Sequence, residues 1–354
     1  MEEEFVRRRQ WLTQQEFLDR LGAANLIPGP SSTEMAIYVG HAKRGWPGLI
    51  VAGCCFIIPA AILVCVIAAA YVRYGSMPQV GGVLYAVKPV VIAVVLQAFW
   101  KLAKSAVKTK LLGAIGIVAA VLYVLGVYDL VVLAGAGLLA GAPVLYQRLK
   151  RKPGAFLLGL VSFKPKTVVA SLAAAAGLAA APFGLWRLFL IFAKIGSVLF
   201  GSGYVLLAFL RSDFVLSLHW LTEKQLLDAV AVGQVTPGPV FTTATFIGYI
   251  LGGVPGAIVA TLGIFLPGFL LVAASGPLIP KVRRSALAGA ILDGVIAGSL
   301  ALMGVVTWQL GKAALIDPLA IAIACVSAAL LFRFRLNAAW LIAAAAVIGI
   351  IHGA

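Results

Sequence analysis

Charge-free apolar runs alternate with short polar connections along this chain, and the runs set its architecture. Trp46 to Val72, Leu111 to Val127, Leu130 to Tyr146 and Thr167 to Trp186 hold no charged residue, and Ala229 to Pro280 is uncharged for 52 residues. A helix of about 20 apolar residues spans the hydrocarbon of a bilayer, so each shorter run fits one crossing and the longest must fold back. Further spans are predicted near Leu188 to Leu210, Val254 to Pro280, Ser285 to Leu310, Ala313 to Phe332 and Leu336 to Ile351. The expected fold class is all-α, a polytopic membrane protein of about eleven or twelve transmembrane helices.

The pattern is written twice. Trp11-Leu12-Thr13 and Pro28-Gly29-Pro30 recur as Trp220-Leu221-Thr222 and Pro237-Gly238-Pro239 at an offset of 209. One deletion later, Gly40, Pro47-Gly48 and Pro59 recur as Gly248, Pro255-Gly256 and Pro267 at an offset of 208, as do Trp100, Leu102 and Lys104 as Trp308, Leu310 and Lys312. This divides the chain into a first repeat, 1–147, a basic linker with a linking span, 148–186, and a second repeat, 187–354. In membrane proteins, Gly/Pro interruptions at matching places of two halves point to a transport site.

A net charge of +16 would suggest nucleic acid in a soluble protein, but with 62% hydrophobic residues the cations fall in connections between apolar runs. Lys101 to Lys110, Arg148 to Lys166, Lys281 to Arg284, and Arg333 with Arg335 read as cytoplasmic loops instead. No nucleic-acid partner is expected. The basic loops of the second half align with poorly charged turns of the first, which predicts two antiparallel halves, an inverted repeat. A re-entrant first Pro-Gly-Pro segment would keep Arg7 to Arg9 and Lys43-Arg44 on one side. A full crossing fits the second half better and is the expectation adopted here.

Proline lacks a backbone N–H and clashes with the preceding turn, so a helix arriving from Trp11 must stop before Pro28, and Pro30 suits the first turn of the next. That helix opens with Ser31, Ser32 and Thr33, and its counterpart with Val240, Phe241, Thr242 and Thr243. Unpaired N–H groups at the positive end of a helix dipole, beside short hydroxyls, form an anion site without a buried cation. The candidate substrate-binding residues are Asn25, Pro28, Gly29, Pro30, Ser31, Ser32 and Thr33, with Gln234, Pro237, Gly238, Pro239, Thr242 and Thr243. Asn25 and Gln234, each three residues before its break, suit either the freed backbone or the substrate. Ser31-x-x-Glu34 matches a capping box. That is the simpler reading of Glu34, with proton coupling left open. Lys88, Lys194 and Asp293 lie deep in apolar runs, where an ionisable group is costly. All three are candidates for coupling or charge pairing: Lys88 and Asp293 nearly coincide in the repeat and suit a mutual pair, and Lys194 suits either a functional role or snorkelling to the interface.

Cys54, Cys55, Cys65 and Cys325 stand in apolar runs without metal or redox spacing, His219 and His352 are isolated, and no nucleophile–base set, Walker loop or dinucleotide fingerprint appears. No cofactor, metal or catalytic residue is expected. A membrane enzyme acting on a phosphorylated lipid would need a nucleophile or metal cluster, and a channel would need a ring of like charges.

The chain resembles the chromate ion transporter family, in its long-chain bidomain form. Arg8 to Thr13, Leu26-Ile27-Pro28-Gly29-Pro30, Gly40 with Gly45-Trp46-Pro47-Gly48, and Phe56 to Pro59 carry the likeness, with Phe200-Gly201-Ser202-Gly203-Tyr204, Trp220 to Thr222, Thr236 to Pro239 and Phe265 to Gly268 in the second half. The resemblance implies a multi-pass carrier of the inner (cytoplasmic) membrane that expels chromate and confers resistance to it. It adds Gly201, Ser202 and Gly203 to the site. The resemblance implies a Phe-Gly-Gly stretch matching Phe200 to Gly203 in a first helix before Met1, and the expectation is either a chain shortened by one helix or a true start upstream. Chromate, sulfate as its isosteric alternative, the bilayer and a second copy of the chain are the expected partners.

Overall fold

The computed structural model describes residues 3–24, 27–75, 77–151, 183–200, 203–275, 285–334 and 336–353. The first half comprises α1 (Gln14–Ala24), α2 (Ser31–Tyr74), α3 (Pro78–Ala106), α4 (Lys110–Val124) and α5 (Asp129–Arg151). The second comprises α6 (Leu185–Val198), the short α7 (Leu206–Leu210), α8 (Glu223–Val235), α9 (Thr243–Ser275), α10 (Ala286–Ala314), α11 (Pro318–Ala329) and α12 (Ala338–Gly353). The span expected at Thr167 to Pro182 lies outside the described residues.

Five helices among those described are long and apolar enough to cross a membrane: Ser31–Tyr74, Gln79–Ala106, Asp129–Gln147, Val240–Ala274 and Ala286–Ala314. Shorter apolar helices, Lys110–Val124, Pro318–Phe334 and Ala338–Ile351, lie beside them. The protein is thus an all-α, multi-pass membrane protein.

α2 is folded back on itself. Arg44 (φ −142°, ψ 18°) and Gly45 (φ 60°, ψ −141°) leave helical geometry, and so do Gly252 (φ −146°, ψ 20°) and Gly253 (φ 61°, ψ −151°) in α9. Beyond the turn, a Cβ on Gly40 would lie 2.2 Å from the carbonyl oxygen of Gly48, and one on Gly248 2.3 Å from that of Gly256. Residues eight apart in a straight helix are separated by about 12 Å, so each pair marks two arms of a helical hairpin in backbone contact. Glycine is required at both faces of such an approach, as in tight membrane helix pairs. Thr245 and Thr261 tie the arms of α9 together through hydroxyls 2.8 Å apart.

Backbone detail repeats with the sequence. Gly29 and Gly238 have φ of 139° and 146°, and Gln10 and His219 have φ of 50° and 53°. Thr13 with Glu16, and Thr222 with Gln225, build matching N-terminal caps on α1 and α8. Lys104 over Trp100 and Lys312 over Trp308 both stand 5.1 Å from the ring centre, near the ends of α3 and α10. Such Trp–Lys pairs suit the membrane–water boundary.

The halves exchange partners. α3 of the first half packs along α11 and α12 of the second, while α10 of the second packs along α4 and α5 of the first; α3 and α10 meet between them. Glycines permit the approach: Gly294 lies against the backbone of Ala136, and Gly349 against that of Gly82. The shared core includes Val90, Val91, Val94 and Val95 of α3 with Leu302, Met303 and Val306 of α10.

Candidate functional site

The first Pro-Gly-Pro segment forms the tip of a helical hairpin. Leu12 and Phe17 before it share a buried cluster with Met35 and Val39 after it, and Lys43 acts electrostatically on Glu16. A helix continuing straight through would place Glu16 and Lys43 about 40 Å apart. The chain therefore turns back at this break rather than running straight on. α8 and α9 behave alike: a Cβ on Gly233, before the second break, would lie 2.1 Å from the Thr243 hydroxyl after it.

Pro30 and Pro239 are the N-caps, both extended (φ −77°, ψ 107°; φ −72°, ψ 132°), and neither helix start has a side-chain cap. The Thr33 amide donates to the Pro30 carbonyl at 2.8 Å and the Thr242 amide to the Pro239 carbonyl at 3.0 Å. The Ser31–Glu34 capping box is consequently absent, because Ser31 already belongs to the helix and the N-cap is a proline. Glu34 is buried instead, with neither carboxyl oxygen hydrogen-bonded.

Both breaks abut one short connection. The Gly29 amide donates to the carbonyl of Leu199 at 2.8 Å, and Gly203 stands against Val240 and Phe241, a Cβ there lying 3.5 Å from the Val240 side chain. Leu199 and Gly203 are four residues apart, so their Cα atoms are separated by at most about 15 Å. Pro28, Gly29, Pro30 and Pro239 are buried, whereas Pro237 and Gly238 are exposed, with Gly238 against Ala60 of α2.

Of the hydroxyl residues, Ser32 is exposed and Thr33 is buried with its Oγ1 unpartnered. Thr242 and Thr243 are fully buried and donate back to the carbonyls of Pro239 (2.9 Å) and Val240 (2.8 Å). Gln234 is partly buried, its side-chain nitrogen unpartnered. Asn25, Gly201 and Ser202 lie outside the described residues.

The deep charges pair otherwise than expected. Lys88 lies 2.8 Å from Asp228 of α8, not against Asp293, and the Tyr71 hydroxyl donates to the same carboxylate at 2.9 Å. Asp293 pairs with Lys108 at 2.8 Å in a largely exposed contact. The helices α3 and α10 align at an offset of 208, not the 205 that would match Lys88 to Asp293, which explains the miss. Lys194 does not snorkel: it is held by Asp213 at 2.6 Å and by the Tyr128 hydroxyl at 3.0 Å. Asp213, Asp228 and Tyr71 were not singled out from sequence. The available signal was that Asp228 is the last charge before the longest apolar run. A cavity of about 500 Å³ with a mixed, mostly apolar lining lies at this pair, and Tyr71, Tyr85, Lys88, Glu223, Lys224 and Asp228 are among the residues that line it. From Asp228, α8 climbs about 10 Å to Val235 and the second break.

A backbone pattern repeated in both halves, hairpin tips that abut Leu199 and Gly203, and ion pairs buried among apolar helices suit a polytopic membrane protein. The chain belongs to the chromate transporter family, whose sequence profile matches residues 1–142 and 186–350. It is 33% identical to the chromate transport protein of Cupriavidus metallidurans over 357 residues, which cover 99% of this chain and 86% of that protein. It is 30% identical to the chromate transport protein of Pseudomonas aeruginosa, covering 98% of this chain and 85% of that one. An uncharacterized transporter of Methanocaldococcus jannaschii is 26% identical over 85% of this chain and 76% of its own. No solved structure matches the chain. Family membership makes it a transporter and not an enzyme.

Proposed function

We propose that the chain is a secondary transporter that exports chromate across the inner (cytoplasmic) membrane and so confers chromate resistance. The observation that carries this reading is the convergence of both Pro-Gly-Pro tips on the Leu199–Gly203 link. Uncapped helix N-termini after Pro30 and Pro239 present backbone N–H groups and positive dipole ends to an oxyanion. Ser31, Ser32 and Thr33 adjoin one end, Thr242 and Thr243 the other. Pro28, Gly29, Pro237 and Gly238 shape the tips, Asn25 and Gln234 precede each break by three residues in the sequence, and Gly203, with Gly201 and Ser202 from the family likeness, completes the proposed set. Interruptions of this kind recur at transport sites formed where two repeats meet.

In this reading the repeats, 1–147 and 187–354, are antiparallel and contribute about eleven or twelve helical segments with the linker 148–186, and alternating access arises from movement of one repeat against the other. Two relatives are chromate transport proteins, and this reading takes its substrate from them. Expelling negative charge from a cell that is negative inside is favoured by about 2.3 kcal/mol per charge per 100 mV. Sulfate has the same charge and tetrahedral shape and is the natural competitor.

The test is uptake of labelled chromate by everted vesicles carrying the chain, with and without excess sulfate. Uptake above empty vesicles, reduced by Pro28→Ala and by Pro237→Ala, is the expected result. No uptake above empty vesicles removes the substrate assignment, and full transport by both variants removes the tips from the site.

A further inference from the structure

Glu34 stands in the first turn of α2 with 1% of its surface exposed, and both carboxyl oxygens lack a hydrogen-bond partner. It is aimed at the tip of the hairpin: a Cβ on Gly29 would lie 2.2 Å from its Oε1. A carboxyl group therefore lies over the backbone of the break where the transport reading seats an oxyanion. At the equivalent place in the second half, Thr243 turns its hydroxyl to the Val240 carbonyl.

Resting on that transport reading, we propose that Glu34 is the proton-coupling residue of this carrier, holding a proton whenever the cradle at Gly29 is occupied, so that proton and oxyanion cross together. A helix N-terminus presents roughly half a positive charge. An ionised carboxylate beside it more than cancels that half charge, and the cradle then repels a dianion. A proton on Glu34 restores the positive end and supplies an O–H donor toward the bound oxygen atoms. Binding of one therefore strengthens binding of the other, and the coupling is reciprocal.

Among the described residues, the other charges of the surrounding helices are engaged elsewhere. On α1, Glu16 caps its own helix at Thr13, and Arg20 and Lys43 act on Glu16. Lys194 of α6 is held by Asp213, and Asp228 of α8 by Lys88. Tyr204, beside α7, and Tyr38, one turn further along α2, are the nearby phenols in sequence, and α9 carries no charged residue. Among the described residues, no ion pair or hydrogen bond reaches the Glu34 carboxyl group. Carrying one proton with each dianion halves the charge moved per cycle.

The experiment uses the purified full-length chain in detergent, weakly buffered on the alkaline side with a pH-indicator dye. Sulfate is the probe, since it does not titrate near neutral pH, and chromate is the parallel probe for binding. The wild type is expected to take up about one proton per oxyanion bound, with Kd rising about tenfold per pH unit as the free carrier ionises. Glu34→Gln is expected to bind the oxyanion without proton uptake and with a flat pH profile. Oxyanion binding by the wild type without proton uptake overturns the proposal and leaves the transport reading standing. Undiminished uptake by Glu34→Gln does the same. Failure of the wild type to bind either oxyanion removes both. The wild-type measurement needs no variant, so a variant that does not fold leaves the test decisive.

Discussion

The two Pro-Gly-Pro tips have one backbone and two different surroundings. Gly29 and Gly238 share a φ near +140°, and both tips are followed by a helix start without a side-chain cap. The first tip is sealed: Pro28, Gly29 and Pro30 are buried, the Gly29 amide is bound to Leu199, and Glu34 covers the glycine. The second tip exposes Pro237 and Gly238, and its threonines are turned inward onto their own helix. A duplicated backbone has kept its geometry while the side chains around it have divided the work, one end carrying an ionisable group and the other opening to the surroundings.

The largest expected effect comes from the helix that leads to the open tip. α8 is anchored to the first half by Lys88 and Tyr71 on Asp228, and Lys88→Met leaves that fully buried carboxylate without its cation. Breaking one partner of a buried pair costs about 3–5 kcal/mol. A drop of many degrees in the detergent melting temperature is expected, largely recovered in Lys88→Met/Asp228→Asn. If the single variant melts with the wild type, the pair does not hold α8.

Next come the glycines themselves. A Cβ at either position is strained by about 1–3 kcal/mol at such a φ. At Gly238 it would also stand 2.5 Å from the Ala60 Cβ, which is fixed to the α2 backbone, whereas at Gly29 it meets the movable end of Glu34. Gly238→Ala is therefore expected to destabilise more than Gly29→Ala, and adding Glu34→Ala is expected to relieve only the latter. Thermal melting of the three variants checks the order; equal losses would mean that the different surroundings do not matter.

Making the tips alike is a milder change. Glu34→Thr removes a buried carboxyl that no donor satisfies, so stability is expected to hold or rise by about 1 kcal/mol while the pH dependence of oxyanion binding disappears. A fall in stability with unchanged pH dependence would return Glu34 to a structural role. The smallest effect belongs to Lys108→Ala. Its pair with Asp293 is 60% and 36% exposed, and such pairs contribute about 0.2–1 kcal/mol. A loss of several kcal/mol in melting would show that this contact is shielded from water after all.

Much of this was legible before any coordinates. The repeat offset located the tips at Pro28–Pro30 and Pro237–Pro239, and the basic turn at Lys43-Arg44 and its uncharged counterpart at Leu251 to Val254 fall on the two hairpin bends. The basic residues Arg7 to Arg9 and Lys43-Arg44 pointed to a re-entrant first segment. Symmetry with the second half argued for a crossing, and in the fold the chain turns back at Pro28–Pro30. Glu34 was misjudged as a cap because Ser31-x-x-Glu34 fits the motif by spacing, while the chain direction imposed by Pro30 places Ser31 one residue inside the helix.

The sequence by itself determined the membrane class, the duplication, the family and the two tips, because apolar run length, proline and glycine act on the backbone locally and need no distant partner. Tertiary structure alone decided that Lys88 belongs to Asp228, that Lys194 belongs to Asp213, and that Glu34 has no partner. A buried charge is settled by whichever side chain reaches it across a helix interface. In a fold whose halves exchange helices, that neighbour is far away along the chain and leaves no periodic signal.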